Sequence, residues 1–174
     1  MSPNPYAMNP YKSTYLSPLG EMVMTAEDGF LTGLWFVGQK HYDAPLLDAC
    51  EERDLPIFVE THRWLDTYFA GERPSTRPAL RLKGTPFRRD VWNILLSIPY
   101  GHTMTYKDIA TLIAEGRGMA SMSAQAVGGA VGHNPVSIIV PCHRVLGTDG
   151  TLTGYAGGTE RKARLLALEG ICLP

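Results

Sequence analysis

The chain has 174 residues, 44% of them hydrophobic and 19% charged, enough for one good core or a small domain beside a slightly larger one. Its formal net charge of −1 gives no global positive field, so any nucleic-acid contact must use local charge, backbone dipoles or shape. Three widely spaced cysteines (Cys50, Cys142, Cys172) and five unclustered histidines argue against a disulfide framework and against zinc-type spacing, so no metal site is expected.

The polar start Met-Ser-Pro-Asn-Pro-Tyr lacks the basic and apolar segments of a signal peptide, and no apolar run reaches membrane-spanning length. A cytoplasmic monomer with no membrane partner is expected. Residues 1 to about 12 read as a disordered arm. From Tyr15 the texture is strands and turns: Glu21 to Ala26 and Phe30 to Val37 have strand length, set off by Pro18-Leu19-Gly20 and Glu27-Asp28-Gly29. Helical spacing follows in Pro45 to Glu52 and in Phe58 to Ala70, where Gly71 and Pro74 supply the stop. Residues 72 to 84 read as a linker. The expected fold class is α/β (α+β): a small N-terminal α/β domain with a β-sheet over 1–80, and a mainly helical domain over 84–174.

In the second half, Thr85-Pro86 is an N-cap followed by proline, and Val91, Trp92, Leu95 and Leu96 give that helix its apolar face. Pro99-Tyr100-Gly101 ends it. Thr105 to Asp108 has capping-box spacing and opens a helix that buries Ile109, Leu112 and Ile113 and closes near Gly116. Ser121 or Ser123 then caps another helix running to about Val131. The outline is a helix-turn-helix. The second helix is nearly bare, with Ala124, Ala126, Gly128, Gly129 and Ala130, although adjacent glycines cost roughly 1 kcal/mol each against alanine. Composition alone favours tight packing over close approach to a DNA groove.

Val136 to Val140 reads as a buried strand leading into Pro141-Cys142-His143-Arg144. A thiol attacks only as thiolate, so Cys142 needs a base or a positive neighbour, and His143 follows directly. An inert buried cysteine is the bland alternative, and Cys-His adjacency alone does not overturn it. Glu169 ends a helix that starts near Glu160, capped by Thr159. A carboxylate at that negative end is a solvated Glu in the bland reading; a Glu that orients a histidine explains the position better, and Cys142, His143 and Glu169 would then form a base-assisted nucleophile. Tyr106, in the first turn of the helix-turn-helix, is a packing residue or a phosphate or base contact. Tyr155, among glycines, is part of a loop wall or an ordinary turn.

Gln125-Ala126-Val127-Gly128-Gly129-Ala130, Asn134-Pro135, Pro141-Cys142-His143-Arg144-Val145, Tyr155-Ala156-Gly157-Gly158 and Leu168-Glu169-Gly170 together closely resemble the O6-alkylguanine-DNA alkyltransferases. The order and spacing hold from about Gly84 to Gly170, and Ser17 to Gly20 and Tyr68 to Gly71 extend the likeness into the first half. The resemblance implies single-use transfer of an alkyl group from O6-alkylguanine, or O4-alkylthymine, in double-stranded DNA to Cys142. His143 would take the thiol proton through a water, Glu169 would orient the histidine, and Asn134 would hold the loop. Tyr106 would help rotate the lesion out of the stack, as reaching O6 requires. Tyr155, Ala156, Val145 and Val131 would line the base pocket. Gln125, Ala124, Ala126, Gly128, Gly129, Ala130 and Arg144 would meet DNA, which reverses the packing preference for the bare helix. No cofactor is implied. Many family members carry arginine where this chain has Gln125, so the charge that fills the gap left by the flipped base is missing. A non-catalytic lesion sensor of the same fold is the first rival, disfavoured by the presence of Cys142; a cysteine hydrolase is the second.

Overall fold

Short apolar runs broken by turn residues produce an antiparallel meander in the computed structural model, which describes residues 10–173. Strands β1 (Tyr11–Ser17), β2 (Gly20–Glu27) and β3 (Phe30–Phe36) pair in sequence. Asp28 and Gly29 both take positive φ, 50° and 80°, as a two-residue primed hairpin turn demands. A two-residue strand, β4 (Glu51–Glu52), adds parallel to β1 and gives the order β3-β2-β1-β4. Helix α1 (Ala44–Asp48) is capped by Asp43, and α2 (Pro56–Phe69) packs on β1, β2 and β3. Phe58, Leu65 and Tyr68 of α2 and Met22, Met24, Leu34 and Phe36 of the sheet are buried, each worth roughly 1.5–3 kcal/mol.

Several expectations change here. The disordered arm expected over residues 1 to about 12 falls largely outside the described residues, and at its end Tyr11 and Lys12 belong to β1 instead. The helix expected over 45–52 stops at Asp48, where Lys12 Nζ donates to Leu47 O (2.8 Å), and Glu51 and Glu52 pair with β1 instead. α2 starts two residues earlier than its periodicity suggests, with Pro56 in its first turn. It ends in a Schellman motif: Gly71 at φ 81°, its N–H on Tyr68 O, and Glu72 N–H on Thr67 O. The stretch 72–84 is only partly a linker, because Leu31 N–H donates to Ala79 O and Arg81 N–H to Leu31 O.

The chain divides into two compact units: residues up to Gly38 with Tyr42–Leu82, and Gln39–His41 with Lys83 onward. In the second unit α3 (Pro86–Ser97) is capped by Thr85, and α4 (Tyr106–Gly116) opens in a complete capping box of Thr105 and Asp108. Gly118, at φ 63°, turns the chain in another Schellman arrangement, with Met119 N–H on Ala114 O, before Ser123 caps α5 (Ala124–Gly132). Val91, Trp92 and Leu95, Ile109 and Ile113, and Val127 and Val131 form the core between these helices. Leu112, expected in that core, is 41% exposed; Ala110 and Ala114 take the inner face in its place. Trp92 Nε1 donates to Ala130 O (2.8 Å), which ties α3 to α5. A parallel pair, β5 (Met104–Thr105) with β6 (Val145–Leu146), joins the start of α4 to the segment after Cys142. Helix α6 (Thr159–Leu168) closes the unit. Its N-cap is Gly158 at φ 93°, not Thr159, which is the first helical residue.

Candidate active site

The run Val136 to Val140, expected to be a strand, is a buried turn. Val140 N–H returns to Val136 O (3.0 Å) and Ile139 N–H to Ser137 O (2.8 Å), so these two amides are satisfied within the run, and only Val136 keeps a bridge-type pairing. Ile138 sits at φ 70°, a strained conformation for a β-branched residue, on the order of 1–3 kcal/mol. Asn134 braces the turn: its Nδ2 donates to Val140 O (2.7 Å) and its Oδ1 accepts from Val136 N–H (3.0 Å). Pro141, at φ −83° and ψ 64°, adds an inverse γ-turn with Cys142 N–H on Val140 O (2.8 Å). The chain then makes one 3-10 turn, Cys142–Arg144, and enters β6.

That turn buries three consecutive functional side chains. His143 Nε2 donates to Glu169 Oε2 at 2.5 Å, which leaves the lone pair on Nδ1. Glu169 Oε1 accepts from Arg144 Nε (2.7 Å) and from Gly101 N–H (3.0 Å). Burial pushes the Glu169 carboxyl up, but its bonds to His143, Arg144 and Gly101 outweigh that and hold it at about 2. Burial lowers the pKa of His143 against the pull of Glu169, so the imidazole rests neutral and can accept a proton. Burial also raises the Cys142 thiol, opposed by Asn134, by Lys162 and by backbone N–H groups. The resting sulfur is therefore a thiol beside a neutral base, the arrangement a base-assisted nucleophile needs.

Arg144 requires a correction. Expected at the DNA surface, it is 8% exposed, bonded to Glu169 and, through a terminal nitrogen, to Ile98 O (2.8 Å). Its charge balances the buried carboxylate. Ala130 is likewise buried, against Trp92, and cannot meet DNA.

Cys142 opens on a pocket of about 760 Å³. Tyr106, Val131, Tyr155 and Ala156 line it, as do Ala124, Gln125, Gly128 and Gly129 of α5. Val145 does not line it; pairing with Met104 keeps it fully buried. Ala126 is exposed on α5 outside the pocket. Burial raises the Tyr106 and Tyr155 hydroxyls, the latter well above the usual phenol range, so both remain hydrogen-bond donors.

The sequence comparisons bear on this geometry. Residues 86–171 match the family model described as 6-O-methylguanine DNA methyltransferase, DNA binding domain, and residues 10–82 match that family's ribonuclease-like domain. The methylated-DNA–protein-cysteine methyltransferase of Methanosarcina acetivorans is 42% identical over 163 residues, covering 93% of this chain and 99% of that one. This chain belongs to the methylated-DNA–protein-cysteine methyltransferase family. The constitutive methyltransferase of Bacillus subtilis is 39% identical over 92% of this chain and 96% of its own. The solved structure of the Mycobacterium tuberculosis family member in complex with DNA superimposes with a TM-score of 0.79 at 41% identity, covering 91% and 92% of the two chains.

Two features of this methyltransferase-family site escaped sequence reasoning. Lys162, on α6, is fully buried, its Nζ donating to Thr153 O (2.9 Å) and lying 5.8 Å from the centre of the Tyr106 ring. Burial lowers it to about 8, partly offset by attraction to Cys142. Within Glu160-Arg161-Lys162-Ala163-Arg164 it reads as one more solvated charge. The second is Gln39–His41, which follows β3 in sequence but brings Lys40 and His41 to the pocket. A turn signal at Gly38, at φ 77°, marks where the chain leaves the sheet, yet nothing local says where it goes.

Proposed function

We propose that this protein repairs double-stranded DNA directly, taking the alkyl group from O6 of a flipped alkylguanine onto Cys142. The observation that carries this reading is the thiol of Cys142 at a preformed pocket, with neutral His143 and anionic Glu169 buried behind it. The thiol proton passes through a water to His143, whose imidazolium Glu169 stabilises. The sulfur attacks the alkyl carbon in line, an S–C bond forms, and the C–O6 bond breaks with its electron pair going to the guanine. The ring regains one proton, matching the one the thiol gave up, and leaves as ordinary guanine. Tyr106 and Tyr155, held as neutral donors, suit the guanine ring, and Val131 and Ala156 suit its flat faces.

The product on Cys142 is a thioether, a poor leaving group, so each molecule acts once. Exposed Ala124, Gln125, Ala126 and Gly129 on α5 offer DNA a nearly bare backbone surface. Asn134 acts by holding the turn that carries the cysteine. The free thiols and a DNA substrate support a cytoplasmic site of action, and no helix among the described residues is long and apolar enough to cross a membrane.

The test is stoichiometric. Protein is titrated against duplex DNA carrying O6-methylguanine, and the remaining lesion is counted. One lesion lost per protein molecule, followed by arrest, is expected. Continued turnover would support the hydrolase reading, and tight binding without loss would support the sensor.

A further inference from the structure

A net charge of −1 leaves open where the positive charge that meets DNA resides. The pocket rim answers with residues from the segment that follows β3. Lys40 N–H donates to Ala156 O (3.0 Å), and the His41 ring stacks on that of His133 with centroids 3.8 Å apart and planes at 28°. His41 is held at φ 63°, a strained backbone for a side chain of this size. Strain maintained by specific anchors at the edge of a binding pocket marks a position kept for use.

Lys40 and His41 are exposed, and both line the pocket with His133 and Lys107. Burial lowers the pKa of His41, and its charged or titratable neighbours push the same way: His133 at the end of α5, Lys40 beside it, and Arg88 on α3. None of these neighbours is a carboxylate, and no salt bridge among the described residues involves Lys40, His41, His133 or Arg88. His133 Nδ1 donates to Gly129 O (2.7 Å), which fixes the ring against which His41 stacks. Basic groups are thus gathered without an anion, at the place where a nucleotide entering the pocket would bring one.

We propose that Lys40, His41 and His133 form a phosphate clamp at the rim of the acceptor pocket, which takes a backbone phosphodiester next to the flipped nucleotide. The clamp rests on the repair function proposed above. It supplies by position the charge that Gln125 does not bring. An anion seated there offsets the repulsion that His41 feels from its basic neighbours, so DNA binding draws a proton onto His41 and strengthens as pH falls through the ordinary histidine range.

The test compares two substrates for the same pocket: duplex DNA carrying O6-methylguanine, and the free base O6-benzylguanine, which has no phosphate. In Lys40→Gln, the ratio of the DNA rate to the free-base rate falls about ten-fold, and the slope of log affinity against log salt becomes shallower by about one. Lys40 is exposed and its anchor to Ala156 is a backbone bond, so the fold is expected to tolerate this change. His41→Gly, which removes backbone strain along with the ring, lowers the same ratio and reduces the gain in DNA affinity at acidic pH. Rates that fall in parallel on both substrates, or a salt slope equal to that of the wild type, would overturn the clamp and leave only a pocket-shaping role. Failure of the wild type on both substrates would instead overturn the function on which the clamp rests.

Discussion

The floor and the rim of the same pocket hold their charges in opposite ways. On the floor His143, Arg144 and Glu169 are buried and bonded to one another, and Gly101 N–H completes the carboxylate's shell. At the rim Lys40 and His41 are exposed, and the ring stack and backbone bonds fix where they sit without neutralising them. A buried charge must be paired within the fold, because water is not there to stabilise it. An exposed one can wait for its partner. Chemistry therefore belongs to the floor and DNA capture to the rim, and substitutions should separate the two.

The largest effect is expected on the floor. Cys142→Ser should abolish alkyl transfer while lesion binding, measured by anisotropy, persists. Glu169→Gln should slow transfer by about a hundred-fold or more by removing the group that orients His143. It also strands Arg144, at a cost of about 3–5 kcal/mol in urea unfolding. The sign of the pH effect follows from a carboxyl held at about 2 against an ordinary 4.5. The stability Glu169 contributes is present above pH 4.5 and is lost as pH falls toward 2.

An intermediate effect is expected at Lys162, which bonds to the wall and acts on the floor through its charge. Its charge favours the Cys142 thiolate and is lost above about pH 8. Lys162→Met should therefore lower the transfer rate at neutral pH and flatten the profile above that value. A profile like that of the wild type would restrict Lys162 to bracing the Thr153 wall.

The smallest effect is expected on α5. An added Cβ at Gly129 meets nothing within 4 Å, so Gly129→Ala should stabilise the fold by about 0.5–1 kcal/mol while weakening DNA binding. Equal DNA affinity in this variant would remove close backbone approach as the reason for the bare helix.

The same contrast governs what could be read before the structure. Thr85, the Thr105–Asp108 box and the serine cap of α5 were legible because caps are bonds between near neighbours in sequence. Cys142, His143 and Glu169 were read from adjacency and the helix-end carboxylate and Asn134 through the resemblance, and the fold brings His143 onto Glu169 and Asn134 onto the turn before Cys142. The turn at 136–140 was not, since Val-Ser-Ile-Ile-Val has the composition of a buried strand and only the bonds that the run makes back onto itself distinguish the two. Arg144 misled for a related reason: charge reads as surface until a buried carboxylate claims it. Lys162 and the Lys40–His41 rim depend on long-range placement, which no local pattern encodes.

The central claim is that one thiol of three is the acceptor. Cys50 is buried with its sulfur on Leu46 O (3.2 Å), and Cys172 is exposed, while Cys142 adjoins the His143–Glu169 pair. After incubation with duplex DNA carrying O6-methylguanine, digestion and mass mapping should find one added methyl group, on the peptide containing Cys142. A methyl group on Cys50 or Cys172, or an unmodified chain after the lesion has disappeared, would contradict the account.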